Sequence, residues 1–81
     1  MEIDDQVYQQ ILDILKPLVP EGLAVTAETD LLVDMGLGSL KVMGIIEKLE
    51  DDFDISIPIN ILPDVRTVKD LVLQIQKLTE R

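Results

Sequence analysis

Met35-Gly36-Leu37-Gly38-Ser39-Leu40 is where the chain changes character. Upstream lies a stretch punctuated by Pro17, Pro20 and Gly22 that has no helical period. Downstream, apolar residues recur at steps of three and four as far as Phe53, the pattern of an amphipathic helix. The two glycines permit a tight turn and leave the approach to the serine open. The hexapeptide therefore reads as the end of a long loop and the start of a helix at Ser39. A helix start is positively polarised, so a hydroxyl placed there, or an anion esterified to it, sits in a favourable field.

The helix beginning at Ser39 has Leu40, Met43, Ile46 and Phe53 as its inward stripe, widened by Val42, Ile45 and Leu49. Gly44 in its middle costs about 1 kcal/mol relative to alanine. It suits close packing, a partner's approach or a neutral surface position. Glu50-Asp51-Asp52 fall at the end where the helix dipole disfavours acid, a solvated end or one that a cation or basic partner would relieve. The run through Asp54 lacks the alternating ligands and central glycine of a calcium-binding EF-hand loop, and no metal site is expected.

Working back from the hexapeptide, residues 17–38 form a connection of unusual length for a compact domain. Leu18, Val19, Leu23, Val25, Leu31, Leu32 and Met35 offer pegs to a core, so a packed Ω-like loop is expected. Before it, Ile3, Val7, Ile11, Ile14 and Leu15 mark one face of a helix over about 4–16, with room for a further turn. Asp4 or Asp5 can cap it, and Pro17 should stop it at Lys16. Working forward, Ile55, Ile57, Ile59 and Ile61 alternate as in a strand, but Pro58 and the lack of a second strand argue against a sheet. Residues 54–57 are read as an extended connector and 58–62 as a short helix with Pro58 in its first turn, ended by Pro63. Thr67-Val68-Lys69-Asp70 resembles a capping box for a last helix with Val68, Leu71, Val72, Ile75 and Leu78 inward and Lys77 and Arg81 near its C-terminus. The expectation is an all-α fold: one domain over residues 1–81, a small four-helix bundle of three main helices and one short one with a long first loop.

Composition removes several functions. The 81 residues contain no histidine and no cysteine. Ser-His catalysis, disulfides and thiolate metal sites are excluded, and a self-contained hydrolase with them. Tyr8 and Phe53 are the only aromatic residues, so the core must be aliphatic. The net charge is −9. Residues 1–38 carry eight acids against one lysine, and residues 39–81 eight acids against six bases. Such a chain should repel nucleic acid and anionic membranes and favour basic protein surfaces. No apolar run reaches the ~18 residues of a membrane span. The start Met-Glu-Ile-Asp-Asp lacks the basic residues of a signal peptide, so a cytoplasmic protein is expected, and a monomer for so small and charged a bundle.

Two roles remain open for Ser39. As an N-cap it would contribute about 1 kcal/mol of stability. The same position would stabilise a phosphodiester on its hydroxyl through backbone N–H groups and the dipole. With Lys41 the only nearby base, Ser39 would then be an acceptor modified by another enzyme.

Four segments in register resemble the acyl carrier protein family over nearly the whole chain. They are Ala27-Glu28-Thr29-Asp30-Leu31, the hexapeptide itself, Leu49 to Pro58, and Val65-Arg66-Thr67-Val68-Lys69-Asp70-Leu71. The resemblance implies a carrier rather than an enzyme. It implies that Ser39, flanked by Gly38 and Leu40, receives 4′-phosphopantetheine from a phosphopantetheinyl transferase. The arm's thiol would hold acyl groups as thioesters and present them to acyl-transferring or acyl-activating enzymes with basic docking patches, in fatty acid, lipid or polyketide-type metabolism. An aminoacyl or peptidyl carrier, and an adaptor that kept the fold without the arm, are the alternatives.

The chain departs from that family's pattern at three positions near the serine. Gly38 stands where an aspartate is usual, Lys41 where an acid is common, and Gly44 where another acid is expected. The segment Pro58 to Leu62 is apolar where acids are usual. The resemblance therefore points to a specialised carrier. Its docking candidates are Leu40, Met43, Glu47, Glu50, Asp51 and Ile59, with Ile59 or Ile61 and Met43 as a docking patch or the lining of an acyl pocket.

Overall fold

Asp4 starts the first helix as its residue type predicts: its carboxylate accepts hydrogen bonds from the backbone N–H groups of Gln6 (2.9 Å) and Val7 (3.2 Å). The computed structural model describes residues 3–79, without the side chains of Ile59 and Leu62. Arg81 lies outside the described residues. Helix α1 (Asp5–Leu15) buries Ile11, Ile14 and Leu15, with Ile3 and Val7 packed against the same core. Pro17 does not end the helix abruptly. Its fixed φ is accepted in a single 3-10 turn, Lys16–Leu18, and the chain leaves the helical region at Val19.

Helix α2 (Ser39–Phe53) buries Ile45, Ile46 and Leu49, with Val42 and Phe53 half-buried beside them. The inward stripe is therefore centred on Ile45, Ile46 and Leu49, and Leu40 and Met43 are corrected to the exposed side. The apolar residues of this helix cover more than half its circumference, so the 3.6-residue period leaves the centre of the buried face undetermined. Asp54 ends the helix in the left-handed conformation, φ 54°. Glu50 then acts structurally: its carboxylate accepts a hydrogen bond from the backbone N–H of Ile57 (2.8 Å) and pins the connector to the helix.

The short helix is a 3-10 helix, Ile59–Asp64, and contains Pro63 instead of stopping before it. Pro58 precedes it and accepts a hydrogen bond from the Ile61 N–H (3.2 Å). Pro63 removes one donor, but its fixed φ matches a 3-10 turn. Helix α3 (Val68–Thr79) begins with the capping box in full. The Asp70 N–H donates to Thr67 Oγ1 (3.1 Å), and Asp70 Oδ2 accepts from the N–H groups of Thr67 and Arg66 (both 3.1 Å). Val68, Leu71, Val72 and Ile75 are buried.

The long loop is folded onto α3. Two N–H groups at the start of α3 have no partner within the helix, and the loop supplies it. Val68 donates to the Thr29 carbonyl (3.0 Å) and Lys69 to that of Ala27 (2.8 Å), while Leu31 donates back to Arg66 (2.8 Å). Asp30 and Thr67 form an isolated antiparallel bridge, and no regular strand occurs among the described residues. Leu31, Met35 and Leu37 are buried pegs, and Leu18, Val19, Leu23 and Val25 are half-buried ones. Leu32, expected among them, points to solvent instead. The architecture is thus all-α, three helices and a short 3-10 helix around an aliphatic core with a packed first loop. No described helix is long and apolar enough to cross a membrane.

Candidate functional site

Ser39 is the first residue of α2, and Gly38 is the N-cap. The Gly38 carbonyl accepts the first intrahelical bond, from Val42 N–H (3.0 Å), and no side chain caps this end. Ser39 is therefore not the cap its residue type suggests: the helix starts one residue earlier in phase, and the hydroxyl is exposed instead of turned back onto the backbone. The N–H groups of the first turn lie beside it, in the polarised end of a 15-residue helix.

The two glycines before Ser39 divide the work of the turn. Gly36 has φ +66°, a conformation that side chains rarely adopt, and this is the position where glycine's freedom is used. Gly38 has φ −83° and ψ 170°, ordinary extended backbone, so the turn's freedom does not come from it. A Cβ placed at Gly38 would meet no heavy atom within 4 Å.

Ser39 lies in the mouth of a depression of about 120 Å³ lined by Leu31, Leu32, Val42, Met43 and Val65. Lys41 is not beside it. Two residues further on is about 200° around the helix, and Lys41 lines a separate open groove of about 710 Å³ between α1 and α2, with Gly44 and Lys48. The larger groove does not contain Ser39. Gly44 is exposed and a Cβ there would meet nothing, which removes close packing within this chain as its reason.

Of the other sequence candidates, Leu40, Met43, Glu47 and Asp51 are all exposed along one side of α2. Glu50 is half-buried and occupied with the Ile57 N–H. The Ile59 side chain lies outside the described residues. Ile61 is half-buried and packed against the core.

Leu31 and Leu32, which line the depression with Ser39, belong to a braced turn. Asp30 caps a single turn over residues 31–34, its Oδ1 accepting from the N–H groups of Leu32 and Val33 (both 2.8 Å). Its carbonyl accepts from Asp34 (3.0 Å) and Met35 (3.1 Å), and the Asp34 carboxylate accepts from the Asp30 N–H (2.9 Å). Arg66 Nη2 pairs with Asp30 Oδ2 at 3.4 Å. The Val33 N–H and, against some desolvation, the Leu32 N–H and Arg66 hold the Asp30 carboxyl below the usual aspartate range. The turn puts Leu31 into the core and leaves Leu32 and Val33 in water. An aspartate directly before three apolar residues was the available signal, and it reads as a cap only once the loop is known to turn there.

The site is an exposed hydroxyl at a helix start with open approach and an apolar recess, and the residues present fit a covalently attached anionic arm. Comparison with known proteins points the same way. A family model described as a phosphopantetheine attachment site matches residues 5–75. A probable acyl carrier protein of Caulobacter vibrioides is 46% identical over 57 residues, covering 70% of this chain and 66% of the relative. The mitochondrial acyl carrier protein of Saccharomyces cerevisiae is 29% identical over 73 residues, covering 84% of this chain and 58% of the relative. The chain thus spans about two thirds or less of the length of these relatives. With the match running from the start of α1 into α3, the chain belongs to the acyl carrier protein family, whose cofactor is a covalently attached 4′-phosphopantetheine.

Proposed function

We propose that Ser39 is the attachment point of the arm and that the protein carries acyl groups between enzymes of a specialised fatty acid, lipid or polyketide-type pathway in the cytoplasm. The observation that carries this reading is positional. The chain has two serines, Ser39 and Ser56. Ser56 lies in the connector after α2, whereas Ser39 opens a helix with its hydroxyl exposed and uncapped.

The chain's own part is to place and hold. Ser39 Oγ gives its proton to a base on the transferase and bonds to the pantetheine-bearing phosphorus of coenzyme A, and adenosine 3′,5′-bisphosphate leaves. No histidine exists to take that proton in the chain, and Lys41 faces the other groove. The phosphodiester so formed would sit beside the first-turn N–H groups, a placement that would contribute about 0.3–1 kcal/mol. The thiol of the bound arm supplies thioester chemistry. Leu31, Leu32, Val42, Met43 and Val65 offer an apolar recess next to the attachment atom. The arm keeps cargo at high effective concentration for each enzyme it visits. Glu47 and Asp51, exposed below Leu40 and Met43, suit basic groups on those enzymes.

Incubation with coenzyme A and a permissive phosphopantetheinyl transferase tests the assignment by intact mass. Wild type and Ser56→Ala should gain one phosphopantetheine, and Ser39→Ala none. A labelled Ser39→Ala protein, or a wild type refused by every transferase tried, overturns it.

A further inference from the structure

The groove between α1 and α2 is where this acidic chain turns basic. Of its seven lysines and arginines, Lys41 and Lys48 both line that groove. Both are exposed, and neither forms an ion pair among the described residues, although Asp13 and Asp52 border the same groove. Gly44 lies between them in sequence and lines the groove with them. Steps of three and four put the three residues on one stripe of α2. Seven residues of helix set the two lysine positions about 10 Å apart along its axis.

The groove has a hydrocarbon floor. Ile14 and Ile45 bring the edge of the core to it, and Pro17 and Leu18 add the turn that follows α1. Gly44 makes a notch in the α2 wall. It is exposed, and a Cβ there would meet no heavy atom within 4 Å. Glycine in a helix interior is unfavourable relative to alanine, and nothing within this chain offsets that cost. Along α2 the wall therefore runs cation, notch, cation, and turns acidic one helical turn later at Asp52.

We propose that this groove seats an amphipathic helix of a partner protein, with an apolar ridge on the floor, its backbone close over Gly44, and two carboxylates seven residues apart on Lys41 and Lys48. A small anion gripped by the two lysines would leave the hydrocarbon floor wet. A fatty acid would cover the floor but bring a single charge. A helix laid along α2 has the same rise per residue, so acids at i and i+7 meet both lysines and apolar residues at i+3 and i+4 fall between them. Elsewhere such acids approach a chain of net charge −9 and are repelled, which gives the partner one seat and one register. Ser39 does not line this groove, so the inference stands apart from the modification of that residue.

A synthetic probe tests it on the full-length protein. The probe is a fluorescent, alanine-rich helix of about 18 residues, long enough to hold its fold. It carries two glutamates seven apart and leucines three and four residues after the first. Binding is read by anisotropy at low salt and located by backbone amide shifts. The expected result is binding with shifts centred on Ile14, Gly44, Ile45 and Lys48. Lys41→Glu with Lys48→Glu should weaken it about tenfold. Lys69→Glu with Lys77→Glu makes the same change of net charge outside the groove and should weaken it much less. Gly44→Leu should weaken it by filling the notch, and Ser39→Ala should bind as the wild type does.

No binding to the wild type, equal loss in the two double variants, or full binding to Gly44→Leu overturns the proposal. Equal binding in the groove by a probe with lysines in place of the glutamates does so too, since the floor alone would then be read. Shifts of the same amides with decanoate or inorganic phosphate, and none with the probe, assign the groove to a small anion instead. A concentration-dependent dimer that moves these amides without any probe assigns it to a second copy. A Ser39→Ala protein that fails to bind while the wild type binds would tie the groove to the attachment residue and remove its independence.

Discussion

Gly36 and Gly38 sit two residues apart and differ in what they need from glycine. At Gly36 the positive φ of 66° makes any side chain strained, and Gly36→Ala should cost about 1 kcal/mol. Gly38 is an N-cap in extended backbone with open space where a Cβ would go. Aspartate there could accept hydrogen bonds from the first turn, so Gly38→Asp should stabilise by about 0.3 kcal/mol. Urea midpoints of the two variants check this, and a Gly38→Asp loss as large as that of Gly36→Ala would show that Gly38 also needs glycine's conformational freedom. Sequence offered both glycines equally because residue type does not reveal which of two neighbours turns left-handed. Ser39 shows the same limit: its place at the helix start is legible, but a shift of one residue decides between cap and free hydroxyl. Asp30 adds a pH dependence with a definite sign. Its carboxyl is held below the usual range in the fold, chiefly by the Val33 N–H, so its contribution is complete above the unfolded aspartate value. That contribution disappears as pH falls through the lower folded value. The stability difference between wild type and Asp30→Asn should therefore stay constant at neutral and mildly acid pH and shrink only below the ordinary aspartate range.

At the scale of elements, the signals that succeeded were those with a local mechanism. Asp4 caps α1, and Thr67 and Asp70 satisfy each other's N–H groups at α3, because such motifs work within four residues of chain. Thr67→Ala should cost about 1 kcal/mol, read as a fall in thermal midpoint, while leaving the helical far-ultraviolet signal of the folded state intact. The signals that failed depended on tertiary context. Leu40 and Met43 fit an inward stripe by period, yet the shared core takes up the face centred on Leu49 and leaves those two in water. Pro63 fits inside a 3-10 helix although it would stop an α-helix. The hydrogen bonds from Val68 and Lys69 to the long loop join residues some forty positions apart, a pairing no local pattern encodes. Gly44 yields the clearest test at this scale. It is exposed, mid-helix and free of neighbours, so Gly44→Ala should stabilise α2 by about 1 kcal/mol. If that variant is stabilised but accepts the arm more slowly, the glycine's absence of a side chain serves a partner's approach.

For the whole molecule the dominant unbalanced quantity is charge. Net −9 on 81 residues is a strong self-repulsion, and it is concentrated in the first 38, where eight acids face one lysine. The fold does little to offset it with pairs. Among the described residues the ion pair formed is Arg66–Asp30, and its arginine is largely exposed, so it adds little by itself. Lys41 and Lys48 line the α1–α2 groove that Asp13 and Asp52 also border. They lower the field there without forming an ion pair. The core that resists this repulsion is aliphatic and small, as it must be in a domain of this length. Stability should consequently rise with ionic strength, because the Debye length shortens from ~30 Å at 0.01 M to ~8 Å at 0.15 M, comparable to the spacing of surface charges. Stabilisation of about 1 kcal/mol over that range would appear as a rise of roughly 4–8 °C in the thermal midpoint. Sodium chloride and magnesium chloride at equal ionic strength separate screening from binding. If repulsion alone is at work the two midpoints coincide, and an excess rise with magnesium would mean that the acids around Glu50-Asp51-Asp52 gather a divalent ion. A midpoint that falls with salt would show instead that attractive pairs outweigh the repulsion, against the charge distribution described above.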